Sequence, residues 1–225
     1  MARRRKPAGG VRRPEVRLPP LRPFTGDGPE PEGDYDGLAF ADLDLGGGDG
    51  GAARFMDCGM YRCGLDGARL SGARFVDCVL DEVRGVGTDL SGALLRDVEL
   101  TEARLGGTQL HGAALERVLI RGGKIDYLNL RTASLKDVVF EGCVLIEADF
   151  GQARLERVEF RDCTLRAVDF HGAELSEVDL RAVTELDIAR GVERLAGAVI
   201  SPAQLLDLAP AFAAQIGVRV ESPGE

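Results

Sequence analysis

Residues 71–100, cut every five residues, read SGARF VDCVL DEVRG VGTDL SGALL RDVEL, and each block but one ends in Leu or Phe. A helix repeats at about 3.6 residues and a strand at about 2, so neither keeps such a series on one face. The pattern extends well beyond this stretch. Every position divisible by five from Phe55 to Leu180 is a large apolar residue, with Gly85 the sole failure in 26 blocks. Two residues before each large one stands a smaller side chain, as at Ala53, Cys58, Cys63, Ala68, Ala73 and Cys78, with Gly123 and bulky Leu128 the main departures.

Residues i−2 and i of a short extended segment point to the same side. The next inward residue is i+3, so the chain must turn at i+1 and i+2. Those slots hold charged and turn-forming residues, such as Ser71-Gly72, Ser91-Gly92 and His111-Gly112. A coil with a corner every five residues keeps all the large side chains inside. Phe55 and Phe75, Phe140 and Phe160, and Phe150 and Phe170 are each 20 residues apart. Four sides of five residues therefore close one turn, with like side chains stacked. The expected interior is filled solid, leaving no bore for a ligand.

Blocks such as Ala148-Asp149-Phe150-Gly151-Gln152 and Val178-Asp179-Leu180-Arg181-Ala182 resemble the A-(D/N)-L-x-x unit of the pentapeptide-repeat family. The resemblance implies an all-β solenoid, a right-handed quadrilateral β-helix. We expect residues 1–37 to be a Pro/Arg-rich flexible tail, within which residues 16–24 could lie extended along the solenoid. Residues 38–183 are expected to form the β-helix, with regular stacking from near Ala53, since Gly48 and Gly50 occupy core slots. Residues 184–225 are expected to form a cap after a register slip at Glu185 and Arg190. The cap contains a helix over about 202–216, with Ser201 as N-cap, Pro202 at the first position and Gln204 completing a capping box. Leu205, Leu208, Ala209, Phe212 and Ile216 fall on one stripe, Leu206 protrudes, and Pro210 predicts a kink or two short helices.

The five cysteines all occupy the small inward slot, which predicts buried reduced thiols rather than zinc ligands, because zinc needs convergent donors. His111 and His171 both fall on a corner, three turns apart, too far to share a metal. The glycine strings at 46–51 and 85–87 lack the Lys-Ser/Thr and the helix of a phosphate loop. No acid or base stands with a nucleophile and an oxyanion donor. The expectation is a protein without catalysis, cofactor or metal. The departure RGGKIDYLNL (121–130) places Lys124, Asp126, Tyr127 and Asn129 together as a candidate partner contact, alongside the plainer reading that Gly123 makes room for Leu128.

Residues 1–34 carry eight Arg/Lys and five Asp/Glu, and the remainder 20 and 32, so a basic tail (+3) precedes an acidic body (−12). Such a body would repel phosphates, which argues against direct nucleic-acid binding. No run of 18 apolar residues suggests a membrane span, and the basic start lacks the apolar segment of a signal, so a cytoplasmic location is expected. The resemblance also implies a protein partner. Some family members mimic a DNA duplex, bind DNA gyrase and join as dimers through a C-terminal segment. Leu205, Leu206, Leu208, Phe212 and Ile216 are the candidate residues here, for a dimer contact or for closing the last coil. Against mimicry stand the mixed charge of residues 52–181, 22 acids to 17 bases, and the lack of a projecting loop. The alternative is a structural spacer that touches partners through the basic tail.

Overall fold

The computed structural model describes residues 10–221. All strand pairings are parallel and nearly all join residues 20 apart, as in Phe75↔Leu95, Leu115↔Leu135 and Phe140↔Phe160. Strands Arg74–Asp81, Leu94–Thr101, Ala114–Arg121, Ser134–Glu141 and Arg154–Arg161 each cover two sides of the coil, bending midway. They belong to a 12-stranded sheet forming the first and second sides. A 6-stranded sheet forms the third side. Single bridges, Asp89↔Gln109↔Asn129↔Asp149↔Asp169, form the fourth.

The corners fall at the slots that spacing selected. In one turn the four residues Asp77, Glu82, Gly87 and Gly92 have φ of 53°, 53°, 68° and 64°. At the corner from fourth to first side, Ala73 N donates to Leu70 O at 3.1 Å, and Ala93, Ala113, Ala133, Ala153 and Ala173 repeat that turn. Glycine meets the positive φ without a steric penalty at several corners. Asp, Glu and Arg occupy others, where ladder hydrogen bonds on both flanks hold the conformation.

Inward residues form one continuous core from Phe40 to Val183. Phe55 stacks on Phe75 with centroids 4.7 Å apart, and Phe140 on Phe160 at 4.8 Å, about the strand spacing. Stacking begins earlier than Ala53. Strand Asp34–Asp36 pairs with Arg54–Met56, and Leu38–Ala41 with Gly59–Tyr61. Gly50 fits because a Cβ there would lie 3.0 Å from Pro29, which is buried in the space the side chain would need. Phe24 stacks on Phe40 at 4.4 Å and closes this end.

At the other end, Thr164 pairs with Glu185 and Leu165 with Leu186, an offset of 21, whereas Val178 again pairs with Ala198. One residue is gained between Asp179 and Ala182, where Glu159 pairs with Asp179 but Arg161 with Ala182, and is given back before Ala198. The helix Pro202–Gln215 then lies over the last coil, unbroken at Pro210.

Candidate interaction surface

The interior offers no chemistry to solvent. Cys58, Cys63, Cys78 and Cys143 donate their thiol hydrogens to backbone oxygens of Tyr35, Phe40, Phe55 and Ile120, each 23 residues earlier, at 3.3–3.4 Å. Thr88 Oγ1 does the same to Leu65 O at 2.8 Å. The small slot thus accepts any compact side chain, and a thiol gains one weak bond there. Burial raises the Cys58 and Cys63 thiols above their ordinary range and pushes Cys78 up to about 12, so they stay protonated.

The exterior carries ladders of charge. The corner arginines Arg62, Arg117 and Arg157 reach one turn back to Asp42, Asp97 and Asp137 with Nε–Oδ1 distances of 2.6–2.7 Å. Each pair is a two-pronged match of guanidinium to carboxylate. Asp137 is the buried member, and its hydrogen bonds to Arg157 hold its carboxyl below the usual range. Asp77 moves the other way, raised by burial and by Asp97 and Asp57 above and below it in the same column.

A groove of about 890 Å³ runs along the third side. Its centre is Gly85, where an added Cβ would meet Leu65 backbone at 2.9 Å. The inward slot of this wall thus carries no side chain, and the Leu65 backbone and Thr88 Oγ1 stand where one would begin. Arg84 pairs in register with Arg104, and Arg104 with Lys124, so three of the four cations lining the groove stand at strand spacing, with the Arg62–Asp42 pair and Asp44, Asp66 and Asp126 beside them. Lys124 Nζ lies 2.8 Å from Asp126 Oδ2, and Asp126 Oδ1 is buried without a partner among the described residues. Tyr127 stands exposed on the adjacent corner with φ 54°. Asn129 is on the next side, where its Nδ2 donates to Gln109 Oε1 at 2.7 Å and its Oδ1 accepts from Arg131 N. The fold therefore brings Lys124 and Asp126 together, leaves Tyr127 exposed at the corner, and places Asn129 on a different side. Gly123 has φ 83°, and a Cβ there would lie 2.1 Å from Ala103 O. Leu128 is buried in the core.

The helix turns a different face to the coil than its apolar stripe suggested. Its buried residues are Gln204 and Leu208, with Ala211 and Phe212 half-buried. Gln204 Nε2 donates to Leu180 O at 2.8 Å and Val183 O at 3.3 Å, while its Oε1 accepts from Ser201 N. One amide thus completes the capping box, covers the Val183 carbonyl at the end of the coil, and gives the Leu180 carbonyl a second donor beside Val183 N. Leu205, Leu206 and Ile216 are left exposed, the last two at 75% and 78%. A shallow apolar hollow lies between Val192, Leu195, Ile200, Phe212 and Ile216.

The N-terminal segment, expected as a flexible arm, is placed against the coil from Val11 onward. Arg12 N donates to Asp137 Oδ1 at 3.3 Å, Arg13 Nη2 to Glu141 Oε2 at 2.6 Å, and Arg22–Pro23 pairs with Leu38–Ala39. Residues 1–9 and 222–225 lie outside the described residues.

A family model described as the pentapeptide repeat region matches residues 53–130 and 127–188. The chain belongs to the pentapeptide-repeat family. No curated protein matches its sequence. Among solved structures it is similar to a trypsin-treated variant of QnrB1, a plasmid-mediated fluoroquinolone resistance protein. The identity is 17%, covering 90% of this chain and 100% of that one with a TM-score of 0.50. HetL of the cyanobacterium Nostoc sp. strain PCC 7120, a protein involved in heterocyst differentiation regulation, matches at 21% identity over 75% of this chain and 90% of its own, with a TM-score of 0.41. The likeness to QnrB1 is one of fold.

Two features of this pentapeptide-repeat chain lay outside the sequence reading. The register of Arg84, Arg104 and Lys124 was available as a spacing of 20 in the outward slot before the large residue. In that same slot stand Leu119 and Val139, which are buried although they belong to the outer surface. Among the described residues, no helix is long and apolar enough to cross a membrane.

Proposed function

We propose that this pentapeptide-repeat protein is a non-catalytic interaction solenoid whose outer faces dock on a protein partner, with DNA gyrase the first partner to test. The observation that carries this reading is the solid core. Side chains from all four sides fill the coil, so recognition is left to the exterior, with its ion-pair ladders and its groove at Arg84, Arg104 and Lys124. The fold shared with QnrB1 supports the choice of partner, and the acidic column Asp57, Asp77 and Asp97 supports mimicry of a duplex. A supercoiling assay with purified gyrase, with and without a quinolone, tests it. Protection or inhibition at near-equimolar protein is expected, and no effect at any ratio removes gyrase. Tyr127→Ala and Lys124→Glu should weaken the effect if the third side is the docking face.

The exposed Leu205, Leu206 and Ile216 beside the hollow at the helix support pairing of two molecules through this end. Sedimentation of the full chain should give twice the 24.0 kDa chain mass, and Leu206→Asp should return the monomer. A monomeric wild type excludes the dimer.

A further inference from the structure

Leu119 and Val139 occupy adjacent turns of the second side, in register with each other. Val138 and Phe140 point inward, so the pleat turns Val139 outward. Yet Val139 is 0% exposed and Leu119 4%, and neither belongs to the interior core. What covers this part of the outer wall is the chain's own N-terminal segment. Its two polar contacts, at Asp137 and Glu141, straddle Val139. Pro14 is buried, and Val11, Val16 and Leu18 are half-buried.

The path of this segment is taut. From the strand holding Glu141 to Arg22–Pro23, the sheet order steps across six strand spacings, about 29 Å at about 4.8 Å each. Arg22 lies nine residue steps after Arg13, and nine steps span about 28–30 Å only when the chain is extended. Prolines at 14, 19, 20 and 23 favour that conformation and reduce the entropy lost on ordering it. The segment crosses the coils as an extended ligand, side chain by side chain, with few backbone bonds to the wall along its length.

The geometry points to the outer wall around Leu119, Val139, Asp137 and Glu141 as a peptide-docking groove, with residues 10–18 as its resident occupant. The partner it fits is an extended Arg-Arg-Pro segment followed by aliphatic residues. An apolar floor takes Pro and Val, and Glu141 takes the second arginine. Asp137, already paired with Arg157, accepts from the peptide backbone. A second chain carrying such a segment would enter by displacing the first. Displacement leaves the interior core intact, because no residue of 10–18 belongs to it. This inference rests on the reading of the exterior as a docking surface and not on gyrase, so a negative supercoiling assay leaves it standing.

The test uses the full chain. A double substitution, Arg13→Glu with Pro14→Asp, loosens the resident segment by placing charge against Glu141 and in the apolar floor. A fluorescent peptide of residues 10–20 is titrated into the wild type and into this variant, with circular dichroism confirming the β-solenoid in both. The expected result is at least tenfold tighter binding to the loosened chain. Adding Val139→Asp, which faces outward and leaves the core unchanged, should weaken that binding at least tenfold, and Glu141→Gln should weaken it a few-fold. Equal affinity for wild type and loosened chain, absence of binding to both, or indifference to Val139→Asp would each overturn the assignment.

Discussion

The coils from Leu135 to Phe170 and those from Leu80 to Leu110 follow the same path, yet they are filled differently. In the later coils Phe140, Leu145, Phe150, Leu165 and Phe170 are all 0% exposed. In the earlier ones Leu80, Leu90, Leu95, Leu105 and Leu110 retain 6–8%, and Gly85 interrupts the column. There the Thr108 hydroxyl is also buried without a partner among the described residues. The period of five fixes where the backbone goes. The choice among Phe, Leu and Gly at the inward slot fixes how tightly the turns close on one another. The looser coils carry the third-side groove, so reduced packing and recognition share one stretch of chain.

This contrast can be broken or sharpened by substitution. The largest effect is expected from Phe150→Ala, which empties a ring-sized space stacked on Phe170 and edge-on to Phe140 and Phe160, and should cost about 3–5 kcal/mol, read from urea midpoints. Leu95→Ala should fall near about 2 kcal/mol, because its surroundings are already looser. Equal costs would mean that the two regions are packed alike. Gly85→Ala comes next, at about 1–3 kcal/mol of destabilisation, since its Cβ would press on the Leu65 backbone at 2.9 Å. A neutral or stabilising result would show that the dent at the groove can fill without strain. Thr108→Val should stabilise by about 1 kcal/mol by removing an orphaned hydroxyl at constant shape, whereas Thr88→Val, which breaks the bond to Leu65 O, should not.

The smallest change sought is one of slope. Asp137 is held below its usual range by Arg157, so the stability it contributes is present above the unfolded value of about 3.9 and fades as pH falls through the folded value. Asp77, raised by burial and its acidic neighbours, acts in the opposite sense and is relieved by protonation. Asp137→Asn should therefore flatten the acid limb of the stability profile, and Asp77→Asn should steepen it. Identical limbs in all three proteins would exclude both roles.

Most of the coil was legible because its signal is local and repeated. Each block states where its own corner and inward residues lie, and 20-residue spacing of Phe pairs announces the stacks seen at Phe55–Phe75 and Phe140–Phe160. The same logic places all five cysteines inside. What escaped reading depends on residues distant in sequence. Gly50 looked like a break because Pro29, which takes its space, arrives from the N-terminal segment. Leu119 and Val139 looked like ordinary outward residues because their cover lies more than 100 positions away. The helix presents Gln204 rather than Leu205 because the last coil offers acceptors at the Leu180 and Val183 carbonyls as well as apolar surface. Of the proposed partner contacts, Lys124 and Asp126 form an ion pair on the third side and Tyr127 stands exposed at the corner beyond them, while that corner sends Asn129 to the next side.

The exact 20-residue register has a consequence for how such a chain can change. Removing twenty residues from the middle shortens the column by one storey, about 4.8 Å, and leaves every remaining side aligned with its neighbours. Removing five keeps each inward residue inward, but swings everything beyond the cut through a quarter revolution. A surface built on one wall would then look out in a new compass direction, reoriented without altering a single one of its amino acids.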